Sequence, residues 1–388
     1  MNNKAKLGLL IGFLAVAAMA LTAYQKAPGL LPAWAPAWAP PGLGRSLDEM
    51  KAGEYSTVLD DKGAVVTKLG RHVKAGNEII NSRGEHYRIT RVRGNIAEAE
   101  MLGVDRDLLA WYEYFDQYAV PAANSGANTG RIAVYHSHSD ESYIPTDGKA
   151  SIPGNGGIYH VGASLTNALQ GRRVPVLHSL ARHDPHDAQA YMRSRKTAVQ
   201  LLKQRPAALI DVHRDGVPDP DFYRRTISGR DAAQLRLVIG SQNPNMNANK
   251  DFARRLMAFA NKTHPGLVKE IFIGSGNYNQ DLMPTAILVE SGTYTLSRQR
   301  AQEGVALLAD AIPTVLGVGT APRAPTTTRN WGSLAWIIVL TIVAAGAFLV
   351  ISSGGWSQAR SKFGQFFGKE FGLRLRTGSR GGGREGER

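Results

Sequence analysis

A chain of 388 residues with 43% hydrophobic content can bury a sizeable core, which excludes a disordered protein; this length suits about two domains with connecting segments. The formal charge of +14 suits a polyanionic partner, whether nucleic acid, anionic lipid or an acidic wall, without choosing among them. There is no cysteine, so disulfides, thiolate metal sites and a cysteine nucleophile are excluded, and any metal must be held by His, Asp and Glu.

In chain order, residues 1–6 form a short basic N-terminus, expected in the cytoplasm. Leu7 to Tyr24, LGLLIGFLAVAAMALTAY, is expected as a transmembrane helix, since about 1.5 Å per residue carries it across most of a ~30 Å hydrocarbon layer. The alternative is a signal peptide cleaved near Ala18-Met19-Ala20, and either reading exports the folded part of the chain. Residues 25–46 read as a stiff Pro-rich linker. Over residues 47–118, short β-rich runs (Ala64 to Val66, His86 to Val92, Ile96 to Glu100) separated by turn residues predict a small antiparallel β domain without a catalytic constellation. Residues 119–130, containing AANSGANTG, are a second linker.

The larger unit spans residues 131–318 and is the expected catalytic domain. Its candidate strands are Ile132 to Tyr135, Ala207 to Val212, Leu235 to Gly240, Ile271 to Gly274 and Ala286 to Val289. Its candidate helices are Gly162 to Leu169, Ala188 to Gln204, Ala248 to Lys262 and Arg298 to Ala311. This alternation predicts an α/β fold with a mostly parallel sheet flanked by helices, in which ligands gather at the carboxyl ends of the strands. A linker at 319–333 then leads to a second expected transmembrane helix at 334–353, edged by Trp331, Trp336 and Trp356. The basic tail at 354–388 is placed in the cytoplasm by the positive-inside rule. The expected location is therefore the cytoplasmic membrane, with both termini cytoplasmic and residues 25–330 on the outer side.

Polar residues assemble where the predicted strands end. The first runs into His136-Ser137-His138-Ser139-Asp140-Glu141-Ser142-Tyr143, another ends in Asp211-Val212-His213-Arg214-Asp215, and a third in Val289-Glu290-Ser291-Gly292. Two imidazoles and a carboxylate with an open fourth position suit catalytic Zn²⁺, and a further carboxylate must move the proton of the attacking water. His136, Glu141 and His213 are the expected ligands, with His138 as the alternative to His136, and Glu290 is the expected catalytic base and acid. Asp211 or Asp215 is expected to hold the His213 ring. Arg214, Arg195, Asn243, Tyr278 and Asn279 are expected to offer hydrogen-bond donors to an acidic, amide-rich substrate.

These blocks, with the Asn-rich segment from Gln242 to Asn249 and Tyr278-Asn279-Gln280, resemble in their order those of the stage II sporulation protein P family, over roughly Tyr55 to Ala311. The resemblance implies a parallel-sheet amidase fold and a zinc N-acetylmuramoyl-L-alanine amidase, in some members also an endopeptidase for stem-peptide cross-links. It implies action on peptidoglycan at the cell membrane in septal wall remodelling during sporulation. Implied partners are the lytic transglycosylase called stage II sporulation protein D and other engulfment membrane proteins. The chain departs from the family pattern in its second apolar stretch and basic tail, and in Ser291, where members often carry a small apolar residue.

Two other readings compete. A serine hydrolase could use Ser137, Ser139 or Ser291 with a histidine base, but no Gly-x-Ser-x-Gly elbow stands near these strand ends. A catalytically inactive wall-binding scaffold that recruits other hydrolases is the non-enzymatic alternative, against which stands the presence of every proposed ligand and of Glu290. Nucleic-acid binding is suggested by charge alone, and export argues against it.

Overall fold

The computed structural model describes residues 50–51, 53–117, 130–187 and 189–318. The strands are β1 (Ser56–Leu59), β2 (Val65–Leu69), β3 (Glu78–Asn81), β4 (Glu85–Arg93), β5 (Ile96–Val104), β6 (Ile132–Tyr135), β7 (Val176–His178), β8 (Ala208–Asp215), β9 (Arg224–Ile227), β10 (Arg230–Ala233), β11 (Leu235–Gly240), β12 (Val268–Gly274) and β13 (Ala286–Thr293). The helices are α1 (Arg106–Gln117), α2 (Ile144–Asp147), α3 (Ile158–Gly171), α4 (Ala190–Leu202), α5 (Met246–Thr263), α6 (Arg298–Leu308) and α7 (Ile312–Leu316). Among the described residues no helix is long and apolar enough to cross a membrane, which corrects the expected arrangement of two transmembrane helices with both termini cytoplasmic. The two apolar stretches at 7–24 and 334–353 and the basic tail lie outside the described residues, as do the linkers at 25–46 and 319–333.

β8, β11 and β13 are buried at every position, the expected pattern for strands covered on both faces. They lie within an 11-stranded sheet of order β2-β1-β5-β4-β3-β12-β11-β13-β8-β6-β7. Strands β13, β8, β6 and β7 run parallel, so the ends of β6, β8 and β13 open on one rim; β11 is antiparallel to β13 and parallel to β12. Strand alternation divides each strand between two faces. Ile132, Val134, Ile210, Val212, Leu237 and Val289 face a core shared with Leu165 of α3, Phe252 of α5 and Val305 of α6. Leu209 and Tyr135 face Ala198 of α4, while Val238, Phe272 and Leu288 face Val58, Leu69 and Ile89 of the N-terminal strands.

The N-terminal strands thus do two things. β3 pairs antiparallel with β12, which leaves the β12 edge covered and continues one sheet across the 119–130 segment. β2 packs against the same sheet, where Thr67 donates to Glu270 (2.6 Å) and Gly70 N–H to Asp215 (2.8 Å). Gly70 is required there, because an added Cβ would collide with the Gly216 backbone. Helix α1 is not among the predicted elements, although Asp105 caps it by accepting from Leu108 N–H at 2.8 Å. Short β7 and the β9/β10 hairpin also escape the pattern, each being too brief for its alternation to register.

In the β3/β4 pair, Glu78 lies 2.9 Å from His86 Nε2 and 2.9 Å from Arg88, and its carboxyl is held down to about 2 by the His86 hydrogen bond, against burial and with help from Arg88. A carboxylate depressed in this way contributes stability that is full above its ordinary 4.5 and lost as pH falls through about 2. Glu78→Gln is therefore expected to flatten the loss of stability between those pH values, read as the urea midpoint followed from pH 7 downward.

Candidate functional site

One rung of the sheet carries the charges. Glu290 of β13 stands in register with His213 of β8 on one side and with Arg236 of β11 on the other, and Arg236 stands in register with Glu270 of β12. All four are buried and on the face covered by the N-terminal strands and α4.

At the β8 end, Asp211 accepts from Ser137 N–H (2.8 Å) and Ser137 Oγ (2.5 Å) and lies 3.0 Å from His213 Nε2. A carboxylate behind Nε2 turns the other nitrogen, Nδ1, toward a ligand. That Nδ1 is buried with no hydrogen-bond partner, 3.4 Å from Glu141 Oε1. His138 Nδ1 approaches the same carboxylate oxygen at 3.7 Å, and the His138 and His213 rings meet edge to face at 4.9 Å. The other oxygen of Glu141 accepts from Arg214 N–H at 3.0 Å, and the Arg214 guanidinium holds the loop through the carbonyls of Ser142 (3.3 Å) and Ala150 (3.0 Å).

The charges of this corner hold one another. Burial pushes the Glu141 carboxyl up, but the His213 charge and the His138 and His213 rings close beside it hold it well below the carboxylate range. Burial likewise opposes a charge on His213, yet Asp211 and Glu141 raise its affinity for a proton well above that of an ordinary histidine. Metal bonds of about 2.0–2.1 Å put neighbouring ligands of a tetrahedral zinc roughly 3.3 Å apart. Ligand atoms of His138, Glu141 and His186 all lie within 4.8 Å of one another, a grouping of donors that could hold a metal ion such as zinc, and His213 Nδ1 stands beside them at 3.4 Å from Glu141 Oε1.

His136 stands elsewhere. Its Nδ1 lies 2.9 Å from the Val212 carbonyl and its Nε2 2.9 Å from His178 Nε2, with Gly162 of α3 leaving the room that a Cβ would fill. Burial lowers His136 to about 3, with His178 adding to the effect, and burial lowers His178 to about 4, so both rings are neutral near pH 7. The contacts thus favour His138, the alternative, over His136, because β6 ends at Tyr135 and the two histidines do not continue one strand face. His138→Ala is expected to lose zinc and His136→Ala to retain it while unfolding at lower temperature. Zinc retained in His138→Ala and lost in His136→Ala would reverse this choice.

Glu290 is clamped by arginines on both oxygens, Arg71 on Oε1 and Arg236 on Oε2 at 2.8 Å. Burial raises its carboxyl above the ordinary value, and Asp215 adds to this against the pull of Arg71 and Arg236. Arg71 follows β2, so the N-terminal region, expected to hold no catalytic constellation of its own, places one arginine on Glu290. Arg236 lies wholly buried within the apolar run LRLVIG, and a charge in such a run was the available signal for it. Asp215 does not hold His213: it accepts from Gly70 and Gly216 N–H and from Tyr223 Oη (2.7 Å), and it pairs with Arg236.

The donors expected to face substrate have partners within the protein. Arg195 forms a two-pronged pair with Asp281 (2.8 and 2.6 Å), and Asn243 closes its own turn onto the Gly240 carbonyl. Asn279, at positive φ beside Tyr278, donates to the Tyr191 carbonyl (3.0 Å), and Tyr278 accepts from Arg71 (3.4 Å). Sequence reasoning also passed over His186, whose ring stacks on His138 at 4.1 Å in the segment RHDPHDAQ.

The profile of the family described as stage II sporulation protein P matches residues 71–313. A Bacillus subtilis (strain 168) stage II sporulation protein P is 27% identical over 198 residues, covering 46% of this chain and 49% of the relative. The chain thus spans about half the length of the curated relative it matches. Among solved structures, the N-acetylmuramyl-L-alanine amidase Ami1 of Mycobacterium smegmatis is similar at 14% identity and a TM-score of 0.33, covering 49% of this chain and 99% of that one. The CwlD amidase of Clostridioides difficile, in complex with the GerS lipoprotein, is similar at 9% identity and a TM-score of 0.31, covering 48% and 96%. The profile match extends over more than half of the 388 residues and contains His138, Glu141, His213 and Glu290, and the chain belongs to the stage II sporulation protein P family.

Proposed function

We propose that this protein is a zinc-dependent N-acetylmuramoyl-L-alanine amidase that cuts peptidoglycan during the wall remodelling of sporulation. The observation that carries the reading is the convergence of His138 Nδ1 and His213 Nδ1 on one oxygen of Glu141, with Glu290 in register beside His213. His138, Glu141 and His213 are the proposed ligands. Zinc bound there would supply Lewis acidity, polarising the amide carbonyl and lowering the pKa of water to about 7.

The remaining steps belong to the side chains. Asp211 fixes the ring of His213 so that Nδ1 faces the site. Glu290 accepts the proton of the attacking water and delivers it to the nitrogen of L-alanine as the carbon–nitrogen bond breaks. Arg71 and Arg236 orient that carboxylate, and each of its oxygens keeps a lone pair beyond the one its arginine uses.

Purified full-length protein, incubated with sacculi, should release stem peptides whose N-terminal alanine is free, as read by mass spectrometry. A chelator should stop the release and added zinc restore it. Release that continues unchanged in chelator would overturn the metal-dependent reading, and products cut elsewhere would overturn the bond assignment.

A further inference from the structure

Two histidines beside Glu141 share one wiring. His213 has Nε2 against Asp211 at 3.0 Å, and His186 has Nδ1 against Asp140 at 3.0 Å. Asp140 is only 2% exposed and also accepts from Ser151, so it is a built support rather than a chance surface neighbour. A carboxylate on one ring nitrogen selects the tautomer whose other nitrogen presents a lone pair, the usual arrangement behind a metal-bound histidine. For His186 that nitrogen is Nε2. Ligand atoms of His138, Glu141 and His186 lie within 4.8 Å of one another, so the His138–Glu141 pair is common to both approaching histidines.

The two differ in what carries them. His213 is locked in β8, buried at every position, whereas His186 lies in the segment between β7 and α4 with its side chain 24% exposed. Its ring stacks on His138 at an interplanar angle of 21°, so the two in-plane lone pairs do not meet at one point until His186 turns off the stack. The exposure on its outer side leaves that turn open.

We propose that His186, supported by Asp140, is a further zinc ligand that closes the metal's fourth position in the substrate-free protein and leaves it when substrate enters. The inference rests on the reading that zinc is held by His138, Glu141 and His213. A catalytic zinc site keeps one position for water or substrate, and a ligand on a loop can vacate that position without disturbing the strands that hold the other three.

X-ray absorption of the zinc-loaded full-length protein counts imidazoles at the metal. Three are expected in the wild type and two in His186→Ala, with zinc affinity falling in the variant. Asp140→Asn should weaken zinc binding by about 10–100-fold, the usual effect of removing a ligand's outer partner. In the cobalt-substituted wild type, muramyl dipeptide should move the visible spectrum toward that of cobalt-substituted His186→Ala. A wild type that binds zinc through two imidazoles, with affinity unchanged in His186→Ala, would overturn the role of His186 and leave the three-ligand site standing. A wild type that binds no zinc would overturn both.

Discussion

Glu290→Gln is expected to bind zinc as the wild type does and to turn over peptidoglycan about 10²–10⁴-fold more slowly, the usual contribution of a positioned proton carrier. Glutamine keeps the size of the side chain and a carbonyl acceptor but cannot take a proton from water. The variant should also fold, for a reason visible in the buried charges. Two guanidinium groups, Arg71 and Arg236, face three carboxylates, Asp215, Glu270 and Glu290, so the row carries one negative charge too many. Asp215 works with burial to raise the Glu290 carboxyl against the pull of Arg71 and Arg236, so the site tolerates a neutral group at this position. Stem-peptide release by mass spectrometry, set beside zinc content and the thermal midpoint, separates loss of chemistry from loss of fold. Undiminished turnover would remove Glu290 from the mechanism.

Arg236→Leu should have the largest effect on stability, a loss of about 3–5 kcal/mol, because removing one partner of a buried pair strands the others. Arg236 is fully buried and serves several strands at once: it pairs with Asp215 on β8, Glu270 at 2.7 Å on β12 and Glu290 at 2.8 Å on β13, and it also donates to the carbonyl of Lys68 in β2. Leucine fills much of the space but leaves carboxylates in the interior without their shared cation. Lysine should recover part of the loss, since it restores the charge but not the fork that reaches several acceptors. Urea denaturation measures the difference, and a change under about 1 kcal/mol would show that water compensates these groups.

Much of the catalytic region is legible in the sequence. Ile132–Tyr135 and Leu235–Gly240 are strands over the expected residues, and β8, β12 and β13 differ from expectation only at their ends. Their apolar runs are long enough to leave no other reading. The polar residues at the strand ends are legible for the same reason: a carboxylate after Ala-Ile-Leu-Val, or an imidazole after Leu-Ile-Asp-Val, interrupts a buried run and so needs a partner. The choice between His136 and His138 turns on one bend after Tyr135, and local pattern carries no information on that bend.

Arg71 is invisible in a stronger sense, since it lies 219 positions from Glu290 and nothing in its surroundings marks it as catalytic. His186 is masked by an unremarkable polar loop. The amino-acid sequence by itself determined which residues lie on each strand, which faces are apolar and that imidazoles and carboxylates end several of the strands, because alternation and burial are local properties of the chain. The tertiary structure alone decided that β13 lies between β8 and β11, that β2 packs against the sheet, and therefore that His213, Glu290, Arg236 and Glu270 form one rung with Arg71 against it. Strand order and register follow from how distant segments bury one another, and only that burial turns scattered charges into neighbours whose pairing is worth more than their hydration.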